Sequence, residues 1–207
     1  MQYESLIFDI DGTLWDSRAL VAEGYNAQLH REGMDHLSVT AEDLKPLFGK
    51  VMTEIADILF RSLPQEDRYP LLERCMESEN RHLAESPCNI GYPLVKETLA
   101  ALSKEHRIFI VSNSQCGYPE LCIRKLGLEE IVQGHLCFGD TGTSKDQTIL
   151  RLMREHGIRS CAYIGDTQGD RDACLEAGIP FIFTAFGLGN ADGWDAKIDN
   201  FADLLNL

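Results

Sequence analysis

The chain has 207 residues and a formal net charge of −14; 44% of its residues are apolar and 25% are charged. This composition is typical of a globular protein with one main core and room for a smaller second domain. The excess of acids disfavours nucleic-acid backbones and anionic membranes as partners. No apolar run approaches the ~18 residues that span a bilayer, and the N-terminus lacks a secretory pattern, so we expect a cytoplasmic protein.

The first predicted element is the apolar run Leu6–Phe8, which is typical of a short buried strand. Asp9 and Asp11 follow directly, and Gly12-Thr13 ends the strand and opens a loop. Because open α/β sheets place their ligands at the carboxyl ends of strands, we expect both acids to face a site. Two carboxylates this close repel each other unless a cation or a shared proton intervenes. Solvated acids in an ordinary turn are the alternative.

Residues 17–86 have helical patterning throughout. Apolar residues recur with helical spacing from Leu20 to Leu29, and Thr40 with Asp43 resembles a helix start. Further helices are predicted around Ile55 and after Pro64. No convincing strand interrupts this segment, which therefore reads as an all-helical insert.

From residue 87 onward, predicted helices and strands alternate. The strands cover residues 107–111, 134–138, 160–164 and 179–184, the last of which closes the series. Alternation of this kind predicts a parallel, doubly wound sheet, which the first strand must join because an isolated strand leaves its backbone unpaired. We therefore predict an α/β protein whose core comprises residues 1–16 and 87–207, with residues 17–86 inserted.

Three further polar segments follow predicted core strands. Ser112-Asn113 comes after the second strand and Asp166 after the fourth, while Ser144 and Gln147 fit a capping box that places Lys145 in the first turn of a helix. Taken singly, such residues are often turn formers or surface groups. The seven cysteines show no CxxC pair and no metal-ligand spacing, which predicts free thiols in a reducing compartment.

Together these segments supply what phosphoryl transfer requires. Asp9 can attack phosphorus, and Asp11 can protonate the leaving oxygen and later take a proton from water. Ser112-Asn113 and nearby amides can hold phosphate oxygens, and Lys145 can neutralise charge on the phosphate and on the nucleophile. Asp166, with Asp9, can hold Mg²⁺, a hard ion that prefers oxygen ligands.

The chain resembles hydrolases of the haloacid dehalogenase superfamily, in the branch of phosphoglycolate phosphatases and β-phosphoglucomutases. The resemblance rests on DIDGTLWDS, VSNS, a lysine before a helix and GDTQGD, in the family's order. It implies a Rossmann-like core with the nucleophile strand near the centre of the sheet, and it makes residues 17–86 a helical cap. It also implies that Asp9 is the nucleophile and Asp11 the acid and base, with the Asp11 carbonyl completing the magnesium shell. Asp170 would lie beside the metal, although a charge that complements a helix dipole explains it equally well.

Three residues are candidates for contact with the rest of the substrate. Arg18 and Lys50 can reach an anionic or hydroxyl-rich leaving group, although solvated basic residues would look the same. Trp15 can line the entrance to the site or anchor a hinge between core and cap, for which the connections near residues 14–17 and 86–93 are candidates.

The predicted function is a Mg²⁺-dependent phosphatase that acts on a small phosphorylated metabolite through an aspartyl-phosphate. We expect a monomer or homodimer without a nucleic-acid or membrane partner. A phosphomutase on the same core and a non-catalytic phosphate-binding regulatory protein remain alternatives. Gly187-Leu188-Gly189-Asn190 hints at a dinucleotide loop, but the third glycine and the following helix of such a loop are missing.

Overall fold

The computed structural model describes residues 3–207, which form two compact units. Residues 3–16 and 89–207 make an α/β unit, and residues 17–88 make a helical unit. The second boundary lies two positions beyond the expected one at residues 86 and 87, and the Cys88 amide donates to Ser86 Oγ at 3.2 Å inside the helical unit. Within residues 3–207, no helix combines the length and the apolar character needed to cross a membrane.

Six strands and nine α-helices make up the two units as the structure describes them. The strands are β1 Ser5–Phe8, β2 Arg107–Ser112, β3 Val132–Cys137, β4 Cys161–Gly165, β5 Phe181–Thr184 and β6 Ala196–Ile198. The helices are α1 Arg18–Arg31, α2 Ala41–Leu44, α3 Met52–Leu59, α4 Gln65–Glu85, α5 Val95–Leu102, α6 Tyr118–Leu126, α7 Phe138–Thr141, α8 Lys145–His156 and α9 Gln168–Ala177. Short 3-10 segments cover Asp35–Leu37, Lys45–Leu47 and Phe201–Asn206.

All six strands form one parallel sheet in the order β3-β2-β1-β4-β5-β6. The chain winds outward from β1 in one direction through β2 and β3, and in the other through β4, β5 and β6. This arrangement confirms the predicted doubly wound fold and places β1 near the centre of the sheet. A crevice at the carboxyl end of the central strands is where such sheets bind ligands, and Asp9 is the residue directly after β1.

The central strands are buried because helices cover the sheet. β1 and β4 have no exposed or half-exposed residue, as expected for parallel strands packed on both faces. One face of the sheet packs against α8 and α9 through an apolar cluster that includes Ile7, Phe109, Val111, Tyr163, Ile149, Leu152 and Cys174. This packing fixes the strand ends, and therefore the polar residues that follow them.

The helical unit has an apolar core of its own. Its buried residues come from α1 to α4 and the connections between them, and include Tyr25, Leu29, Leu44, Ile55, Phe60, Leu72 and Cys75. The predicted start at Thr40 is confirmed, because Thr40 and Asp43 form a complete capping box. Residues 48–51 separate the second 3-10 segment from α3.

Two expectations from the sequence are wrong. The strand series does not close at Thr184, because β6 pairs with β5 through Ile182–Ala196 and Thr184–Ile198. Ser144 is the N-cap of α8 by position, but its side chain makes no capping hydrogen bond, so the predicted box with Gln147 does not form. The reason is visible at Gln147, whose side-chain amide donates instead to Asp146 at 2.8 Å.

Candidate active site

Asp9 is a buried carboxylate at the centre of the sheet. It is 3% exposed, and its backbone amide donates to the Ile164 carbonyl at 2.9 Å, which continues the pairing of β1 with β4 past the last strand residue. Burial raises the pKa of Asp9 well above its usual range, and Lys145 acts in the opposite direction. Asp9 therefore needs a positive partner to stay ionised.

Lys145 supplies that positive charge. It is the first residue of α8, its side chain is buried, and its Nζ donates to Asp9 Oδ1 at 3.1 Å and to Asp170 Oδ1 at 2.5 Å. Burial acts to lower the pKa of Lys145, but the carboxylates of Asp170 and Asp9 outweigh it, and the pKa is raised. The lysine is therefore a fixed cation between two acids.

Asp166 follows β4, the strand next to β1, and is completely buried. Its Oδ2 accepts hydrogen bonds from the backbone amides of Leu188 and Gly189, at 2.7 and 2.9 Å. Within residues 3–207, Asp166 Oδ1 has no hydrogen-bond partner although it is buried. Burial, with Asp170 adding repulsion, raises the pKa of Asp166 to about 7. One oxygen of this acid is thus held in place while the other is available to a ligand.

The segment after β5 packs closely against Asp166. A Cβ on Gly187 would meet the Asp166 side chain, and one on Gly189 would meet the Asp166 carbonyl oxygen at 2.7 Å. The glycine pattern that hints at a dinucleotide loop therefore lets a backbone approach a buried acid closely. This support for Asp166 was not predicted from the sequence, and its only signal was two glycines within five residues of the end of a predicted strand.

Asp170 is completely buried and has both oxygens engaged. Oδ1 accepts from Lys145, while Oδ2 accepts from the Thr167 amide at 3.0 Å and the Thr167 hydroxyl at 2.7 Å. Thr167 and Asp170 form the capping box of α9. The sequence left open whether Asp170 complements a helix or lies beside a metal; its position at the helix start fits the first role, and its contact with Lys145 ties it to the acid cluster.

Asp9, Asp166 and Asp170 make a cluster that can hold a cation. One carboxylate oxygen from each lies within 4.8 Å of the others. Three buried acids with one lysine leave a net negative charge, which is costly unless a cation joins them. The donors are all carboxylates and, among the residues described, Asp166 Oδ1 has no hydrogen-bond partner, so the site fits a hard divalent ion such as Mg²⁺.

The side chain of Asp11 makes contacts that differ from those of the acid cluster. Its Oδ1 accepts from Trp15 Nε1 at 2.8 Å and from the Tyr118 hydroxyl at 2.9 Å. Both donors are buried, and their rings meet edge to face with centroids 5.5 Å apart. Tyr118 begins α6, and no pattern in the sequence connects it with Asp11.

Ser112 ends β2, the other neighbour of β1 in the sheet. It is 6% exposed, and its hydroxyl accepts from the Ser114 amide at 3.3 Å. Asn113 is half-buried between them. Among the residues described, Ser114 Oγ is buried without a hydrogen-bond partner. Ser114 is a second hydroxyl that the sequence analysis did not single out as a candidate.

The three predicted substrate contacts are placed as follows. In the helical unit, Arg18 pairs with Glu42 at 3.2 Å and Lys50 with Glu54 at 2.5 Å. Trp15 is fully buried, bonds to Asp11, and forms an isolated bridge with Gly91. This geometry favours the anchoring alternative for Trp15.

Comparison with known proteins places these features in context. A family model described as haloacid dehalogenase-like hydrolase matches residues 6–184. A protein named phosphoglycolate phosphatase from Agrobacterium fabrum is 31% identical over 96% of this chain and 89% of its own length.

Solved structures show the same fold. The crystal structure of a predicted phosphoglycolate phosphatase from Haemophilus somnus aligns with a TM-score of 0.83 at 22% identity, over 100% of this chain and 98% of that one. A β-phosphoglucomutase from Clostridium difficile aligns with a TM-score of 0.78 at 18% identity, over 98% and 93%.

Proposed function

Because the chain belongs to the haloacid dehalogenase-like hydrolase family, we propose that it is a phosphatase that hydrolyses a small phosphorylated metabolite through an aspartyl-phosphate on Asp9. The observation that carries the proposal is the environment of Asp9. Its carboxylate accepts a hydrogen bond from the buried ammonium group of Lys145 and lies next to Asp166. In the part of the chain described, Asp166 Oδ1 has no hydrogen-bond partner. Phosphoglycolate is the first substrate to assay, because several relatives are named phosphoglycolate phosphatase.

Asp9 and Asp166 are the residues we propose as side-chain ligands for Mg²⁺, with the Asp11 carbonyl as the family resemblance implies. Asp170 acts beside them through Lys145, because both of its oxygens are already engaged. A bound Mg²⁺ would offset the negative charge of the phosphate and of the acids around it.

The chain's own groups account for each step. Asp9 attacks phosphorus, so that a new oxygen–phosphorus bond forms as the bond to the leaving oxygen breaks. Asp11 gives its proton to that oxygen, then accepts one from the water that cleaves the aspartyl-phosphate. Lys145 favours the ionised form of Asp9 before the attack, and Ser112, Asn113 and the Ser114 hydroxyl hold phosphate oxygens.

The helical unit supplies the remaining selectivity in this proposal. As a cap it would exclude water and contact the part of the substrate that is not phosphate. Arg18 and Lys50 are the basic residues offered for that contact, each after exchange of its present glutamate partner.

The test is turnover of an aryl phosphate and of phosphoglycolate, with Mg²⁺ and then with excess EDTA. We expect free phosphate as the product with Mg²⁺ and none with EDTA, whereas an isomerised sugar phosphate from a sugar-phosphate substrate would indicate a mutase.

Asp9→Asn should abolish turnover and leave the circular dichroism spectrum unchanged. Asp172→Asn, on the exposed side of α9, is the matched control. Turnover by Asp9→Asn, or none by the parent protein with any divalent ion, would overturn the proposal.

A further inference from the structure

We propose that Cys116, Cys137 and Asp140 form a second metal site, which binds a thiophilic divalent cation of the Zn²⁺ class. None of the three takes part in the chemistry proposed for Asp9. One ligand atom from each lies within 4.8 Å of the others. The residues come from two segments, the loop after β2 and the junction of β3 with α7, so their convergence is a product of the fold.

Both thiols already surround the carboxylate. Cys116 Sγ is 3.5 Å from Asp140 Oδ1, and Cys137 Sγ is 3.0 Å from Asp140 Oδ2. With Zn–S near 2.3 Å and Zn–O near 2.0 Å, a tetrahedral ion separates a sulfur and an oxygen ligand by about 3.5 Å. Asp140 Oδ2 also accepts from the Cys137 amide at 2.8 Å, which leaves Oδ1 as the better placed oxygen.

The backbone is built for this approach. The amide of Gly139 donates to the Ser114 carbonyl at 3.1 Å, and a Cβ at residue 139 would meet the Cys116 amide and its sulfur. A side chain at that position would push the two segments apart. Glycine between Cys137 and Asp140 is therefore what brings Cys116 into the cluster.

The ligand chemistry separates this site from the acid cluster. Thiolate sulfur selects Zn²⁺ and related ions over Mg²⁺, whereas three carboxylates favour Mg²⁺. Three protein ligands leave a fourth tetrahedral position for water. Cys137 is buried, while Cys116 and Asp140 are exposed, so an ion can enter from solvent.

Metal binding has to displace protons from these thiols. Burial and the hydrogen bond to Asp140 raise the pKa of both cysteines, so without metal both carry a proton at neutral pH. Binding of one ion should therefore release up to two protons, and affinity should rise with pH. Because excess Mg²⁺ occupies the acid cluster beforehand, protons released on addition of Zn²⁺ would come from the two thiols.

The experiment is a calorimetric titration of the full chain with Zn²⁺, with excess Mg²⁺ present to fill the acid cluster and a non-thiol reductant present to prevent disulfides. We expect one high-affinity equivalent, with proton release seen as a dependence of the heat on buffer ionisation. Cys116→Ser and Asp140→Asn should each weaken it by at least ~100-fold, since the loss of even outer partners costs 10–100-fold.

The matched control is Cys88→Ser, which removes an exposed thiol from the helical unit and should leave binding unchanged. Cd²⁺ provides a second readout, because sulfur coordination produces an ultraviolet charge-transfer band that Cys116→Ser should diminish. Equal Zn²⁺ affinity in the parent and in Cys116→Ser, or no Zn²⁺ binding by the parent, would overturn the proposal. Either result leaves the phosphatase assay with Mg²⁺ unaffected as a separate test.

Discussion

Asp11 Oδ1 accepts two buried hydrogen bonds, and these bonds fix the orientation of the carboxyl group. Trp15 Nε1 and the Tyr118 hydroxyl both donate to that atom. Hydrogen bonds to a charged group contribute about 1.5–3 kcal/mol each, so rotation of the carboxyl group away from both donors is costly. In the proposed mechanism Oδ2 is therefore the oxygen that carries the proton to and from the substrate. In that mechanism, Trp15 and Tyr118 would position Asp11.

Tyr118→Phe tests this role with the least change in shape. The variant keeps the ring packed on Trp15 and removes one donor to Asp11. We expect kcat to fall by about tenfold, since Trp15 still holds the carboxylate, while KM changes little because the phosphate ligands are intact. Steady-state kinetics with phosphoglycolate or an aryl phosphate gives the two constants separately.

Tyr3→Phe is the control for that variant, because it removes a phenol hydroxyl at the opposite end of β1 from Asp9 and should leave kcat unchanged. An unchanged kcat in Tyr118→Phe, or a loss confined to KM, would contradict the positioning role.

At the scale of single residues, the sequence indicates acids better than it indicates their partners. Taken singly, Asp9, Lys145 and Asp166 could be turn or surface residues, and they stand out because they occur together, after strands and at a helix start. Tyr118 and Ser114 do not stand out, because an aromatic residue at a helix start and a serine in a turn are common in any protein. The contribution of Tyr118 comes from a tertiary contact with Asp11, which lies more than 100 positions away in the sequence.

At the scale of elements, the segment after β5 acts on the acid cluster through its backbone. The Leu188 and Gly189 amides hold Asp166 Oδ2, and Gly189 has no room for a side chain. We expect Gly189→Ala to displace this segment and to weaken Mg²⁺ affinity by ~10-fold or more, comparable with the loss of groups that orient metal ligands in other proteins. The Mg²⁺ dependence of turnover measures this.

Gly169→Ala is the matched control. The nearest atom to a Cβ there is Thr167 Oγ1 at 3.6 Å, an ordinary contact, and residue 169 lies inside α9. Alanine should be tolerated and should stabilise the helix by up to ~1 kcal/mol. Equal Mg²⁺ dependence in the two variants would show that the segment after β5 does not orient Asp166.

The elements that the sequence predicts poorly are those stabilised by contacts with other elements. β6 has three residues, and only Ile198 is a large buried apolar side chain, so no periodic pattern marks it. It exists because it pairs with β5. The capping box expected at Ser144 does not form, while the one at Thr167 does, because Asp170 is held by Lys145 as well as by the helix start.

At the scale of the whole molecule, the acid cluster should set how stability depends on pH. Asp166 has an ordinary pKa near 3.8 when unfolded and about 7 when folded and free of metal. Between these values the folded state retains a proton that the unfolded state has lost, so its free energy of unfolding falls as pH rises. Mg²⁺ competes with that proton and should reverse the loss.

Asp166→Asn isolates this effect. The amide oxygen can accept from Leu188 and Gly189 while the amide nitrogen replaces the unpartnered oxygen, so the variant should fold. In EDTA, urea denaturation should show the variant gaining stability over the parent by about 3 kcal/mol between pH 5 and pH 8. Added Mg²⁺ should then stabilise the parent more than the variant. A difference that does not change with pH would rule out the buried acid as its cause.

The position of β1 in the sheet has a further consequence, for biosynthesis. β1 comes first in the chain, yet its partners are Arg107–Ser112 and Cys161–Gly165. Contacts so distant in sequence are slow to form, and residues 17–88 can gather their own apolar core before either partner strand has left the ribosome. The segment that carries Asp9 must therefore wait unpaired during synthesis, and we expect chaperones to bind, or aggregation to begin, at its apolar run Leu6–Phe8.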